Sequence, residues 1–212
     1  MQQLDNPTVL VFDTETTGLP IDWKRPFTDT ENWPRIVQFG MILQSPDGTQ
    51  ESFESLVKPN GSAFPIPEAA SKVHGITDEK CINHGIPIED VVGKFLESYA
   101  KADILICHNT DFDFPVLSCE MVRLGIKPEK REVGILCTKK TTTDLLQLPG
   151  HYGFKWPTLQ ELHRYLFGCE FEGSHDALSD VQATLNCYNE LAKRGKFIRG
   201  AKRNQYSYSL NK

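Results

Sequence analysis

The first strong feature along the chain is an unbroken run at residues 8–12 (TVLVF), apolar and β-branched, which predicts a strand buried on both faces. Residues 35–43 and 52–57 read as the next two strands, with Pro46-Asp47-Gly48 as the turn between them. A fourth strand is predicted at Ile104–Cys107, again short and apolar. Elsewhere the spacing turns helical. Ile88, Val91, Val92, Phe95, Leu96 and Tyr99 recur at i, i+3, i+4 and i+7, so one amphipathic helix covers them. Shorter helices are expected at 67–73, ended by Gly75, and at 115–124, ended by Gly125. Thr158-Leu159-Gln160-Glu161, after Pro157, is a capping box opening a helix that closes at Gly168. Leu178, Val181, Leu185, Tyr188 and Leu191 mark a last helix that stops at Gly195. Residues 20–33 are polar and aromatic without periodicity, which predicts a long loop. Strands first, then strands alternating with helices, predict a mixed α/β sheet flanked by helices.

Composition adds few constraints. The 212 residues, 39% hydrophobic and 24% charged, suit one well-buried soluble domain. No stretch approaches the ~20 apolar residues that span a membrane, and residues 1–7 lack the features of a signal peptide. The cysteines (Cys81, Cys107, Cys119, Cys137, Cys169 and Cys187) form no C-x-x-C pair, and several lie in apolar runs. They predict reduced core thiols in a cytoplasmic protein rather than a disulfide or zinc framework. The net charge of -5 hides an asymmetry, because from Lys193 onward there are seven cations and no acid. The expected organisation is a domain at 1–195 and a basic tail at 196–212. That tail suits either contact with a polyanion or plain solvation.

The candidate chemistry lies in three acidic segments. Asp13 and Glu15 end the first strand and, two residues apart, point to the same face. Two such acids repel unless a cation lies between them, and hard divalent cations prefer carboxylate oxygens. Taken alone, a solvated strand end explains the pair as well. Asp113 follows the fourth strand, just before the helix expected to carry Pro115 in its first turn, where an N-cap is the plain reading. His108 and Asn109 read as loop braces, and Asp111 as an exposed acid. His175 lies in a Gly-Ser turn and Asp180 about one turn inside the last helix, so both approach one place from the same direction. Each segment is ordinary singly, but together they bring acids to strand ends that converge in α/β folds.

The three segments resemble the exonuclease motifs of the DnaQ-like, or DEDDh, 3′–5′ exonuclease family, which includes the proofreading epsilon subunit of bacterial DNA polymerase III. The first motif, F-D-x-E-T-T-G-L, matches residues 12–19 without a gap. The second, H-N-x-x-F-D, matches His108, Asn109, Phe112 and Asp113, and the third, H-x-A-x-x-D, matches His175, Ala177 and Asp180. The family's V-H-G-I-T turn recurs at residues 73–77. A related subclass has tyrosine four residues before the last acid, where this chain has Asp176, so the histidine subclass is indicated.

The resemblance implies a ribonuclease H-like fold, a five-stranded mixed β-sheet with α-helices on both faces. It implies that Asp13, Glu15, Asp113 and Asp180 hold two Mg²⁺ or Mn²⁺ ions and that His175 accepts a proton from the attacking water. Imidazole suits that role because it is both neutral and basic near pH 7. Thr16, Thr17, Gly18 and Leu19 would line the terminal nucleotide, with Leu19 wedged against its base. By the same implication His108, Asn109 and Phe112 border the substrate, although Phe112 also reads as core packing. Of Trp23, Phe27 and Trp33, packing is favoured over stacking on bases. The expected partner is a single strand or 3′ end of nucleic acid, DNA slightly over RNA, because the motifs do not read the 2′-hydroxyl. A DNA polymerase or a second copy remains open as a protein partner. The rival reading, an inactive nucleic-acid-binding module, calls for a lost metal acid, and none is lost. Glu172-Gly173-Ser174 stands where the family often has an arginine before the histidine.

Overall fold

The computed structural model describes residues 6–59, 65–129 and 132–195, with 202–204 and 207–209 beyond them. The chain begins with the strands β1 (Val9–Thr16), β2 (Ile36–Gln44) and β3 (Gln50–Leu56). The helices α1 (Glu68–His74), α2 (Asp78–His84) and α3 (Ile88–Tyr99) lead to β4 (Ile104–Cys107) and α4 (Thr110–Arg123). Next come β5 (Lys127–Glu129), β6 (Val133–Cys137), α5 (Thr138–Thr141) and α6 (Thr143–Leu146). A small hairpin of β7 (Pro149–Gly150) and β8 (Gly153–Phe154) precedes α7 (Leu159–Phe167) and α8 (Ala177–Lys193). The segments β9 (Lys202–Asn204) and β10 (Ser207–Ser209) complete it.

The main sheet has the order β3-β2-β1-β4-β6-β9. The β1–β2 and β2–β3 pairs are antiparallel, while β4 runs parallel to both β1 and β6. Five strands and flanking helices therefore form the mixed sheet that the resemblance implied. The three-residue β9 extends it by pairing antiparallel with β6. Otherwise the basic tail expected at 196–212 lies outside the described residues, apart from β10, which pairs with β5.

Strand alternation divides the core in two. Leu10 and Phe12 face one layer, with Phe39 and, from α3, Phe95 and Tyr99. Phe12 and Phe95 meet edge to face at 5.3 Å between ring centres. Val9 and Val11 face the other layer, against Val181 and Leu185 of α8. Burying each such side chain contributes about 1.5–3 kcal/mol, so both sheet faces are firmly covered.

Two sequence expectations change. The helix expected at 115–124 starts earlier, at Thr110, because the Asn109 carbonyl already accepts the amides of Phe112 and Asp113. Asp113 is therefore a first-turn residue and not the N-cap. The five-residue β6 and the short α2, with Cys81 as its one buried residue, carry too little periodicity to announce themselves. Five cysteines are buried and free, as expected, whereas Cys169 is exposed.

Candidate active site

β1 outruns its parallel neighbour. The β1–β4 register ends at Val11↔Ile106, while pairing with β2 continues to Thr16↔Ile36 across a bulge after Glu15. The polar end of β1 thus stands at the sheet edge where the parallel strands β1, β4 and β6 all finish. Asp13 and Glu15 lie on the same face as Val9 and Val11, the face covered by α8.

Asp113 reaches the same edge from the other layer. Past the end of the β4 pairing, its Oδ1 accepts the Thr14 backbone N–H (3.1 Å) and the Thr14 hydroxyl (2.9 Å). Asp113 is only 3% exposed, so α4 is pinned to β1 by a buried carboxylate.

The fourth acid depends on how α8 sits. Gly40 lies opposite Asp13 in the β1–β2 register. A Cβ there would fall 2.7 Å from the Ala177 carbonyl carbon and 2.8 Å from the Leu178 nitrogen, so only glycine lets the first turn of α8 touch β2. Gln38, opposite Glu15, ties the contact down. Its Oε1 accepts the Ala177 N–H (3.2 Å), and its Nε2 donates to Asp176 (3.0 Å) and Glu54 (2.7 Å). Asp176 in turn caps α8 by accepting the Ser179 amide (3.1 Å) and hydroxyl (2.8 Å). One turn on, Asp180 Oδ2 accepts the His175 backbone N–H at 3.2 Å, while its Oδ1 is buried without a hydrogen-bond partner. His175 adopts a left-handed backbone (φ 69°), an uncommon conformation that turns the exposed imidazole back toward the acids. One ligand atom each from Glu15, His175 and Asp180 lies within 4.8 Å of the others.

Asp13 and Asp113 stand outside that tight trio but share its field. Burial, then the charges of Asp113, Asp180, Glu15 and Asp176, push the Asp13 carboxyl well above the usual carboxylate range. Glu15 is raised to about 8 by burial, then by Asp180, Asp113 and Asp176. Burial raises Asp113 to about 7 even though the Thr14 hydrogen bonds favour its charged form. Asp180 is raised to about 6, chiefly by burial. For Asp13 and Glu15 every neighbouring charge that acts is another carboxylate. Such a group, with a bare buried oxygen, fits divalent cations, which prefer carboxylate ligands.

The flanking residues divide into braces and free surfaces. The Thr16 hydroxyl donates to the Gly18 carbonyl (2.6 Å), and Thr17 exchanges two hydrogen bonds with Arg35, at 2.9 and 3.0 Å. His74, given no chemistry from the sequence, braces this turn: Nδ1 accepts the Ile76 N–H (3.1 Å), which leaves Nε2 to donate to the Thr16 carbonyl (3.2 Å). Leu19, next along, is 71% exposed. His108 bridges Thr138 (3.0 Å) and the Pro157 carbonyl (3.1 Å) through its two ring nitrogens, and burial lowers it to about 4, so it is a neutral brace. Asn109 is the N-cap of α4 without a capping side-chain bond. Phe112 rests on the main core, and Trp23 touches it at 5.9 Å between ring centres. Trp33 is buried and donates to the Pro26 carbonyl (3.1 Å), so the loop's aromatics mainly pack. The sequence reading missed Gly40, Gln38 and the capping role of Asp176. The signal present for each, a glycine and a glutamine inside an apolar strand and an Asp before a helix, gives no hint of the contact made.

Fold and site together define a sheet-edge acidic centre of the kind that binds divalent cations. The chain belongs to the RNase_T exonuclease family, whose model matches residues 10–188. It is 28% identical over 190 residues to a PolC-type DNA polymerase III of Caldanaerobacter subterraneus. It is 30% identical over 191 residues to a DNA polymerase III subunit epsilon-like protein of Rhodobacter capsulatus. These alignments take in 87% and 89% of the chain but only 12% and 24% of the relatives, so it spans a small part of their length. Among solved structures, E. coli exonuclease I in complex with a dT13 oligonucleotide superposes with a TM-score of 0.71 at 19% identity, over 90% of this chain and 42% of that one. A 3′-exonuclease described as recognising a histone mRNA stem-loop gives 0.68 at 14%, over 97% and 71%. These likenesses confirm the ribonuclease H-like fold.

Proposed function

We propose that this chain is a metal-dependent 3′–5′ exonuclease that hydrolyses the last phosphodiester of a nucleic acid strand and releases 5′-mononucleotides. One observation carries the reading: Glu15, Asp180 and His175 converge within 4.8 Å beside Asp13 and Asp113, and every charge that acts on Asp13 and Glu15 is a carboxylate. Asp13, Glu15, Asp113 and Asp180 would hold two Mg²⁺ or Mn²⁺ ions, which would supply Lewis acidity to the oxygens of the scissile phosphate and to the departing 3′ oxygen. His175 takes the proton of the attacking water as the new P–O bond forms and the bond to the 3′ oxygen breaks. Its backbone amide, held by Asp180, fixes where the ring can stand. The turn from Thr16 to Gly18 presents backbone to the terminal nucleotide, and the exposed Leu19 meets its base.

The polymer is a single strand or a 3′ end, with DNA slightly favoured over RNA. The DNA polymerase III relatives support the preference, while solved neighbours with DNA and with histone mRNA support either sugar. Attachment to a polymerase and pairing with a second copy are both compatible with this reading. No helix among the described residues is long and apolar enough to cross a membrane, and a cytoplasmic location fits cysteines that form no disulfide. The test is digestion of matched 5′-labelled DNA and RNA oligonucleotides with Mg²⁺, Mn²⁺ or EDTA. A metal-dependent ladder shortening from the 3′ end, absent in Asp180→Ala, is expected. Tight binding without cleavage in any metal would replace this reading with an inactive binding module.

A further inference from the structure

Between β6 and α7 the chain exposes a surface that the active site does not use. Residues 149–156 are all exposed, with Tyr152 fully so and Phe154 and Trp156 at 50% and 55%. Their position is fixed. Pairing of Pro149↔Phe154 and Gly150↔Gly153 closes the hairpin around His151 and Tyr152, and Lys155 N–H donates to the Leu148 carbonyl at 2.9 Å. A Cβ on Gly150 would stand 2.9 Å from the Gly153 carbonyl, so the turn holds its tight shape only with glycine. The tip ring of Tyr152 lies 5.3 Å from that of His151, and Lys139 of α5 sits 4.9 Å over the Trp156 ring. Lys140 and Lys155 lie nearby in the chain, in largely exposed ion pairs with Asp111 and Glu161 that water screens and that yield readily to a phosphate.

This surface continues the edge that carries the acids. β1, β4 and β6 are parallel neighbours, and α5 starts where β6 ends, about two strand spacings or roughly 10 Å from β1. The Pro157 carbonyl accepts from His108 Nε2 at 3.1 Å, and Lys139 N–H donates to the His108 carbonyl at 3.1 Å. The hairpin and α5 are therefore locked to the same strand–helix junction that positions Asp113. Exposed flat rings interleaved with lysines are poor solvent-facing surface but match a chain of bases linked by phosphates.

We infer that the β7–β8 hairpin, Trp156 and Lys139 form a second contact for single-stranded nucleic acid, stacking bases that lie upstream of the terminal nucleotide. The inference rests on the exonuclease reading and predicts a length dependence. A dinucleotide bound at the acids is too short to reach the hairpin, whereas an oligonucleotide of about fifteen residues engages both places.

The experiment compares KM and kcat of wild type, Tyr152→Ala/Phe154→Ala and Lys139→Ala on a 5′-labelled dinucleotide and a 15-mer of the same sequence, with melting temperatures recorded for each. Base–aromatic stacking predicts that KM for the 15-mer rises about tenfold or more in the double variant, with kcat and dinucleotide kinetics unchanged. Lys139→Ala should lower the salt dependence of 15-mer KM. Equal 15-mer KM values in folded wild type and variants would overturn the contact. Loss on both substrates alike would also overturn it, because the hairpin would then be acting on the site itself. If wild type cleaves neither substrate, the exonuclease reading fails instead.

Discussion

Asp113 and Glu120 stand seven residues apart on α4, on one face of the helix and almost equally buried, at 3% and 1% exposed. Their surroundings differ in sign. Glu120 Oε1 receives Arg35 Nε at 2.8 Å and Arg123 at 3.0 Å, together with the Ile36 backbone N–H at 3.3 Å. Arg123 also donates to the carbonyls of Thr30 and Trp33, so the pair fastens the long loop before β2 onto α4. Asp113 instead meets two hydrogen bonds from Thr14 and the field of Asp180. Each group leaves one buried carboxylate oxygen bare, Oε2 of Glu120 and Oδ1 of Asp180, so an orphan atom alone does not mark a functional site. The surrounding charge does. A buried acid enclosed by arginines is a structural tie, and buried acids enclosed by acids are suited to binding positive charge.

Exchanging each acid for its amide breaks the comparison most sharply. Asp13→Asn should cut metal-dependent cleavage by about 10³-fold, on the order of 4 kcal/mol of transition-state stabilisation. The same change relieves repulsion and should raise the melting temperature of the metal-free protein by a few degrees at pH 8, about 1 kcal/mol. Glu120→Gln should do the reverse, because it removes the buried carboxylate charge that Arg35 and Arg123 share. It should cost about 3 kcal/mol of stability, roughly 10 °C, while the activity per folded molecule stays within about threefold. Thermal melts in EDTA and single-turnover cleavage separate the two. If Asp13→Asn destabilises the metal-free protein as much as Glu120→Gln does, the two buried acids are ties of the same kind.

A smaller effect follows from protons. Glu15 at about 8, Asp113 at about 7 and Asp180 at about 6 all lie above the carboxylate range of the unfolded chain. Between that range and pH 8 the folded protein holds protons that the unfolded chain has released. Stability must therefore fall as pH rises through this window. The metal-free melting temperature should drop by about 5 °C from pH 5 to pH 8, about 2 kcal/mol. Saturating Mn²⁺ should abolish the drop, because deprotonated acids are what the cation binds. A metal-free melting temperature that climbs over the same range would contradict raised acids at this edge.

Much of this was legible in the sequence because it is local. The β1 run and its two trailing acids, the capping box of α7 and the periodicity of α3 and α8 are each written in a few adjacent residues. Four acids on three separate elements joined into one site only through motif resemblance, since no pattern in a single segment says which other segment it meets. What stayed hidden is the seating of α8. Gly40 reads as a weak spot in an apolar strand, and its purpose exists only once Ala177 lies against it from far along the chain. Gln38 looks like an inconvenient polar residue in β2 until its three partners arrive from β3 and the start of α8. β6 was missed for another reason: five residues including Gly134 make too short a run to separate a strand from a loop.

Gln38 supplies the finest test of the comparison, because it is neutral and touches neither group of acids that the contrast turns on. It is 8% exposed and spends both amide donors on Asp176 and Glu54 and its carbonyl oxygen on Ala177. Gln38 Nε2 stands between Glu54 and Asp176. Burial and the Asp176 charge raise the Glu54 carboxyl, while Asp176, raised by its own burial, is held low overall by the hydrogen bonds from Gln38 and Ser179. Replacing it with leucine keeps the volume and strands those groups, at a cost of about 1–2 kcal/mol. If Gln38 positions Asp180 by seating the α8 cap, Gln38→Leu should also lower kcat about fivefold, weaken Mn²⁺ affinity by a similar factor, and leave KM for a long strand unchanged. A loss of melting temperature with kcat and Mn²⁺ affinity intact would make Gln38 a tie like Glu120. The position of Asp180 would then be set by Gly40 and the helix alone.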